Sequence, residues 1–227
     1  MRNSKVRKYL SVGLSAMFGA ASALVPTTAS AQDKKDEISF DLVPNPQFVN
    51  CLRQNSFEEP KGRVTVIRGT LNDTLILDLD GIKPGLGFDL FTVERSSLLA
   101  KNTPDPDFAT KFNKSFGLAW YQSDIQIPKH SDDGHVRIKT ILLDQIFGFD
   151  ADANVRLKPT NTFHVGFWFN NPQDAVACNF DPNNPTPFNG EHRAGPLAMI
   201  SVPDPNTKLG PLCTDPTTSN GTVSCNP

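Results

Sequence analysis

The side chains best equipped for chemistry in this chain fall into a few small groups. In TFHVGFWFN, Thr162 to Asn170, alternation places His164 and Trp168 on one face and Phe163, Val165, Phe167 and Phe169 on the other. An imidazole beside an indole could stack on a ligand and hydrogen-bond to it. In FNGEHRAGP the run Glu191-His192-Arg193 is framed by Gly190 and Gly195, so Glu191 could orient the His192 ring or pair with Arg193 in a shaped binding loop. In DADAN, Asp150, Asp152 and Asn154 match the opening of a calcium loop, where alternate oxygens converge on one cation. Val155 then stands where such a loop needs glycine, and Asn161 where it needs a bidentate glutamate. A polar turn is the default there, with calcium the exception. His130 and His135 flank a turn containing Asp132 and Asp133, the ingredients of a surface metal clip, although loop histidines beside carboxylates are usually solvated.

Four apolar side chains in register belong in an interior, since burying each such phenylalanine is worth roughly 1.5–3 kcal/mol. A strand that is apolar on both faces is normally covered on both. The Asn170–Pro196 segment is therefore expected to fold back over His164 and Trp168. Left open, Trp168 would join Trp120 and Tyr121 as stacking surfaces for sugar rings. The sequence holds no G-x-S-x-G, no S-x-x-K and no phosphate-cradling glycine loop.

The elements that must position these groups begin after a leader. Arg2, Lys5, Arg7 and Lys8 precede an apolar, small-residue stretch from Tyr9 to Val25, and Ala29-Ser30-Ala31 supplies an A-x-A end. This is the pattern of a secretory signal over residues 1–31, cut near Ala31, and its character is bacterial. Ser11, Gly13, Ser15, Gly19 and Ser22 dilute it too much for a membrane anchor, and no second apolar segment closes the chain. The mature protein is expected to be secreted or periplasmic, with no membrane span. The sequons at Asn72, Asn113 and Asn220 imply no glycosylation in that setting.

Without those four basic residues, Lys+Arg falls from 22 to 18 against 24 Asp+Glu, a formal charge of about −6. Such a chain is a poor match for nucleic acid or anionic lipid. Its 4 cysteines, Cys51, Cys178, Cys213 and Cys225, point in an exported chain to two disulfides. A short Cys213–Cys225 closure would leave Cys51–Cys178, and Cys178–Cys213 is the competing pair. Zinc is the runner-up for these thiols, with no C-x-x-C pair to favour it.

Residues 32–60 read as an extended, Pro/Asn-rich lead-in. From 61 to 203 the period is two: RVTVIRG, DTLILDLDG, FDLFTVER, SFGLAWYQSDIQI, HVRIKTILLDQIF, TFHVGFWFN and PLAMISV are strands. Asp133-Gly134 reads as the tight turn of a hairpin. About seven short strands with long Pro/Asn-rich loops and no amphipathic helix predict an all-β, antiparallel β-sandwich of immunoglobulin-like or jelly-roll type. Residues 204–227 form a tail that a disulfide would tie down.

At NDTLILDLDGIKPGLGFDLF, SFGLAWYQSD, ILLDQIFGFD and TNTFHVGFWFNNP the chain resembles a family of exported bacterial β-sandwich proteins known only as uncharacterised. The likeness spans most of the mature chain and implies no activity, so it assigns no functional residue. More loosely, a strand, L-x-G-x-x-P-G and an aromatic-rich strand are similar to secreted chordin-type (CHRD) modules. Those carry a His-x-His after that turn; GFDLFTV has none, so no metal role comes with the likeness. The expectation is an exported, non-catalytic binding or structural protein, without a cofactor, whose partner is an envelope or extracellular protein or a polysaccharide. The alternative is a metal-dependent extracytoplasmic enzyme using His130, His135, His164, Glu191 and His192.

Overall fold

Alternating side chains build most of this molecule. The computed structural model describes residues 37–55, 58–67, 69, 72–143, 162–186, 194–206 and 208–213. All of them belong to one compact unit that begins at Lys34. Among the described residues nine strands run in chain order: β1 (Glu37–Pro44), β2 (Lys61–Ile67), β3 (Asn72–Asp80), β4 (Gly87–Val93), β5 (Ala119–Gln126), β6 (Val136–Leu143), β7 (Thr162–Phe169), β8 (Leu197–Ile200) and β9 (Leu212–Cys213). Helices are short: α1 (Val49–Leu52), α2 (Pro106–Thr110) and a 3-10 helix over Pro172–Cys178. In β3 the expected division holds, with Leu75, Leu77 and Leu79 fully buried and Asp78 and Asp80 turned outward.

The all-β, antiparallel expectation is met, and the strand arrangement is richer than two sheets of seven strands. Eight strands follow one path, β5-β4-β7-β8-β1-β2-β3-β6, and β9 adds to β7. Two devices bend that path into a nearly closed barrel. The first is β1, which pairs with β2 from Glu37 to Leu42 and then with β8 at Val43 and Pro44. A strand that changes partners midway turns a corner. The second is a bulge in β5: Leu90 faces Ser123 and Phe91 faces Tyr121, which leaves Gln122 outside the register. The carbonyl of Gln122 accepts the Thr140 hydroxyl of β6 at 3.2 Å, linking the two ends of the path.

The lead-in at 32–60 is thus partly structural, because it supplies β1 and α1, and the tail supplies β9. Asp133-Gly134 does not close a hairpin: β5 pairs with β4 and β6 with β3. The turn packs on Gly81 and Ile82 instead, whose amides donate to the carbonyls of Asp133 (3.0 Å) and Gly134 (3.4 Å). Gly134, at φ +62°, allows that approach, since a Cβ there would collide with the Ile82 backbone.

Inside the barrel, Phe88 meets Phe167 edge-on at 4.9 Å and Phe169 at 5.1 Å, surrounded by the β2 and β3 aliphatics. A second apolar cluster lies on the opposite face of β4, β7 and β8, where Phe91, Val93, Trp168 and Ile200 meet Leu98 and Phe116 from the β4–β5 connection. The cysteine expectation is met in part. Cys51 of α1 is bonded to Cys178 at the end of the 3-10 helix.

Candidate functional site

In β7 the two faces sort as their periodicity implies. Phe163, Val165, Phe167 and Phe169 join the barrel interior, and His164 and Trp168 lie on the other face, both buried. Trp168 is met edge-to-face by Phe91 at 5.6 Å and by Phe116 at 4.9 Å. Phe116 packs on Phe108 at 4.7 Å, and Phe91 on Tyr121 at 5.6 Å. The indole is therefore core and presents no open face to a sugar ring. Among the described residues its cover is the β4–β5 connection carrying Leu98, Phe108 and Phe116, which leaves β4 beside Trp168. Of the Asn170–Pro196 segment expected to fold back, Cys178 is held against α1 by the disulfide, and residues 187–193 lie outside the described ones.

His164 is a structural pin. Its Nδ1–H donates to the Ser201 carbonyl at 3.0 Å, and the Ser201 hydroxyl oxygen accepts the Val165 amide at 3.1 Å. Burial pulls its pKa down to about 4, against a smaller opposite effect of the Ser201 bond, so the ring is neutral near pH 7. Gly210 sits over it; a Cβ there would lie 3.1 Å from Cδ2.

Sequence reasoning missed Glu94 and Arg95, which stand where the covering connection leaves β4. The Glu94 carboxylate is buried, 3.1 Å from Nη2 and 3.2 Å from Nη1 of Arg95, and it accepts the Leu118 amide at 3.1 Å. Burial raises its pKa, while the Leu118 amide and Arg95 pull the other way. The guanidinium lies 4.6 Å from the Phe112 ring centre. Gly117, at φ +77°, passes so close that a Cβ would collide with Glu94 Oε2. A charged dipeptide after an aromatic-rich strand was the available signal. The pair fastens both ends of the cover, and neither residue lines a cleft formed by described residues.

Trp120 and Tyr121 do not share a face. Tyr121 is 49% exposed, packs on Phe91 and donates its hydroxyl to Asp124 at 2.8 Å, while the half-buried Trp120 lies opposite Thr92. His130 is exposed. His135 is held at 2.8 Å by Asp80, which raises its pKa, and Asp133 accepts the His135 amide and the Ser131 hydroxyl. Among the described residues no group of three or more His, Cys, Asp or Glu side chains could hold a metal. Glu191, His192, Arg193, Asp150, Asp152, Asn154 and Cys225 lie outside the described residues.

Two clefts remain. One, of about 440 Å³, runs beside β1–β3, and four of its charges are paired, Asp41 with Arg63 (2.8 Å), Asp78 with Arg137 (3.0 Å) and Asp80 with His135 (2.8 Å), while Glu59 and Lys61 also line it. The other, of about 700 Å³, lies where β7 runs into the 3-10 helix and is lined by Asn170, Asn171, Pro172, Gln173, Pro182, Asn183 and Pro185. Asn171 caps the helix by accepting the Gln173 amide (3.1 Å), and Asp181 accepts the Asn183 amide (2.9 Å). The Asn170 backbone donates to Gly87 at 3.1 Å, and the disulfide fixes the far end of the helix. This second groove is open and framed at both ends. No protein-family model, curated protein or solved structure matches this chain.

Proposed function

We propose that this chain is an exported, non-catalytic binding protein of the cell envelope or extracellular space, and that it holds its partner at the disulfide-clamped groove. The observation that carries the reading is the pairing of an open polar groove with a rigid frame. The groove walls stand on a capped helix, a backbone bond to β4 and a covalent bridge to α1. A frame fixed in advance lowers the ordering cost of binding. A disulfide suits an oxidising compartment, and no helix among the described residues is long and apolar enough to cross a membrane.

Export is tested by the mature N-terminus, expected at Gln32; a chain that keeps residues 1–31 in the producing cell would refute it. Binding is tested by sedimentation with isolated envelopes. The wild-type protein is expected to pellet, and Gln173→Trp, which fills the groove from an exposed position, to stay in solution. Equal pelleting of the two would remove the groove from the function.

A further inference from the structure

We infer that the groove between Asn170–Gln173 and Pro182–Pro185 takes a neutral, hydroxyl-rich polysaccharide chain, an inference that rests on the binding role proposed above. Every side chain in its described lining is an uncharged amide or a proline. A primary amide offers two donors and an acceptor in one plane, the complement of a hydroxyl, which both donates and accepts. Three of the amides are not used by the fold: the side chains of Asn170, Gln173 and Asn183 make no hydrogen bond among the described residues. By contrast, Asn171 and Asp181 close the local turns.

The prolines are half-buried and Asn171, Gln173 and Asn183 are exposed, so we take the prolines as the floor and the amides as the rim. A floor without N–H groups presents an apolar surface to the CH face of a sugar, and the rim supplies directed polar contacts. The volume, about 700 Å³, falls inside the range of small-ligand sites, about 300–1,000 Å³. Neutral walls give an acidic polymer no ion pair. A protein partner is the weaker fit, because interface anchors are mostly Trp, Tyr and Arg, and none lines the described groove. The position of one amide is set by a glycine: a Cβ on Gly87 would lie 2.6 Å from Asn170 Nδ2.

The test is native affinity electrophoresis of the full mature chain in gels containing dextran, glucomannan or galactomannan, with alginate as the acidic control. At least one neutral polysaccharide should retard the wild-type protein, and alginate should not. Gln173→Glu and Asn183→Asp keep side-chain size and remove the donors, so each should weaken retardation by about tenfold. Unchanged melting temperatures would show that the variants are folded. Retardation that both variants retain in full, retardation by alginate alone, or no retardation by any neutral polysaccharide would each overturn the inference. If Gln173→Trp abolishes envelope sedimentation while no neutral polysaccharide retards the wild type, the polysaccharide falls and the binding role stands. If Gln173→Trp changes neither readout, both fall.

Discussion

His164 illustrates how far burial alone redirects a reactive side chain. Its ring is enclosed beneath Gly210 and bonded to Ser201, and its pKa falls from 6.5 to about 4. Between those values the unfolded chain binds a proton that the folded chain refuses. Stability from this residue is therefore complete above pH 6.5 and is lost as pH falls toward 4, by about 3 kcal/mol in all. Glu94 and Asp174, whose pKa values burial raises, act in the opposite sense, since the folded chain takes up their protons first. The measurement is thus a comparison: urea midpoints from pH 7 to 4 for the wild type and for His164→Gln, which keeps a donor toward Ser201. The variant should lose much of the acid sensitivity between pH 6.5 and 4. Parallel pH profiles would show that His164 is not its source. Alternation was enough to place His164 opposite the phenylalanines. Its partner was not legible, because Ser201 lies 37 residues away and nothing local marks the pairing.

The same limit governs whole elements. Period two located the strands well, since Val64, Val66, Leu75 and Leu77 are buried by pleat alone. The contribution of the β4–β5 connection to the cover on Trp168 was not legible, because Leu98, Phe108 and Phe116 are spaced without a period and the connection reads as an open loop. Among the described residues Phe116 lies in closest ring contact with Trp168, at 4.9 Å. Phe116→Ala should cost about 3–5 kcal/mol and shift Trp168 fluorescence to the red as the cluster admits water. A blue-shifted, unchanged spectrum would mean that another element covers the indole. Gly117→Ala tests the fastening rather than the filling. A residue at φ +77° is strained, and its Cβ would meet the Glu94 carboxylate, so a loss above about 1 kcal/mol is expected. That substitution should increase protease cleavage between Leu98 and Phe116 and leave the barrel strands protected from hydrogen exchange.

At the scale of the molecule, strand periodicity cannot say which edges meet, and so a barrel and a sandwich look alike in the sequence. Closure depends on the change of partner along β1 and on the displaced Gln122, features visible only once the register is known. The Cys51–Cys178 bridge was legible as one of the open pairings, and its consequence is global. It spans 127 residues, and a loop of that length removes about 5 kcal/mol of unfolded-state entropy in the chain-entropy view, with 2–4 kcal/mol the usual yield. The bridge also joins α1 to the 3-10 helix that carries one wall of the groove, so the two effects should separate. Cys51→Ser with Cys178→Ser should lower the unfolding free energy by about 2–5 kcal/mol. At a temperature where that double variant is still folded by far-ultraviolet circular dichroism, envelope sedimentation should already be weakened, because the wall is no longer held. Lost stability with full sedimentation would assign the bridge to the fold alone and leave the groove rigid without it. An unchanged melting curve would mean that the two cysteines are not bonded in solution, and the rigid frame on which the binding role depends would be gone.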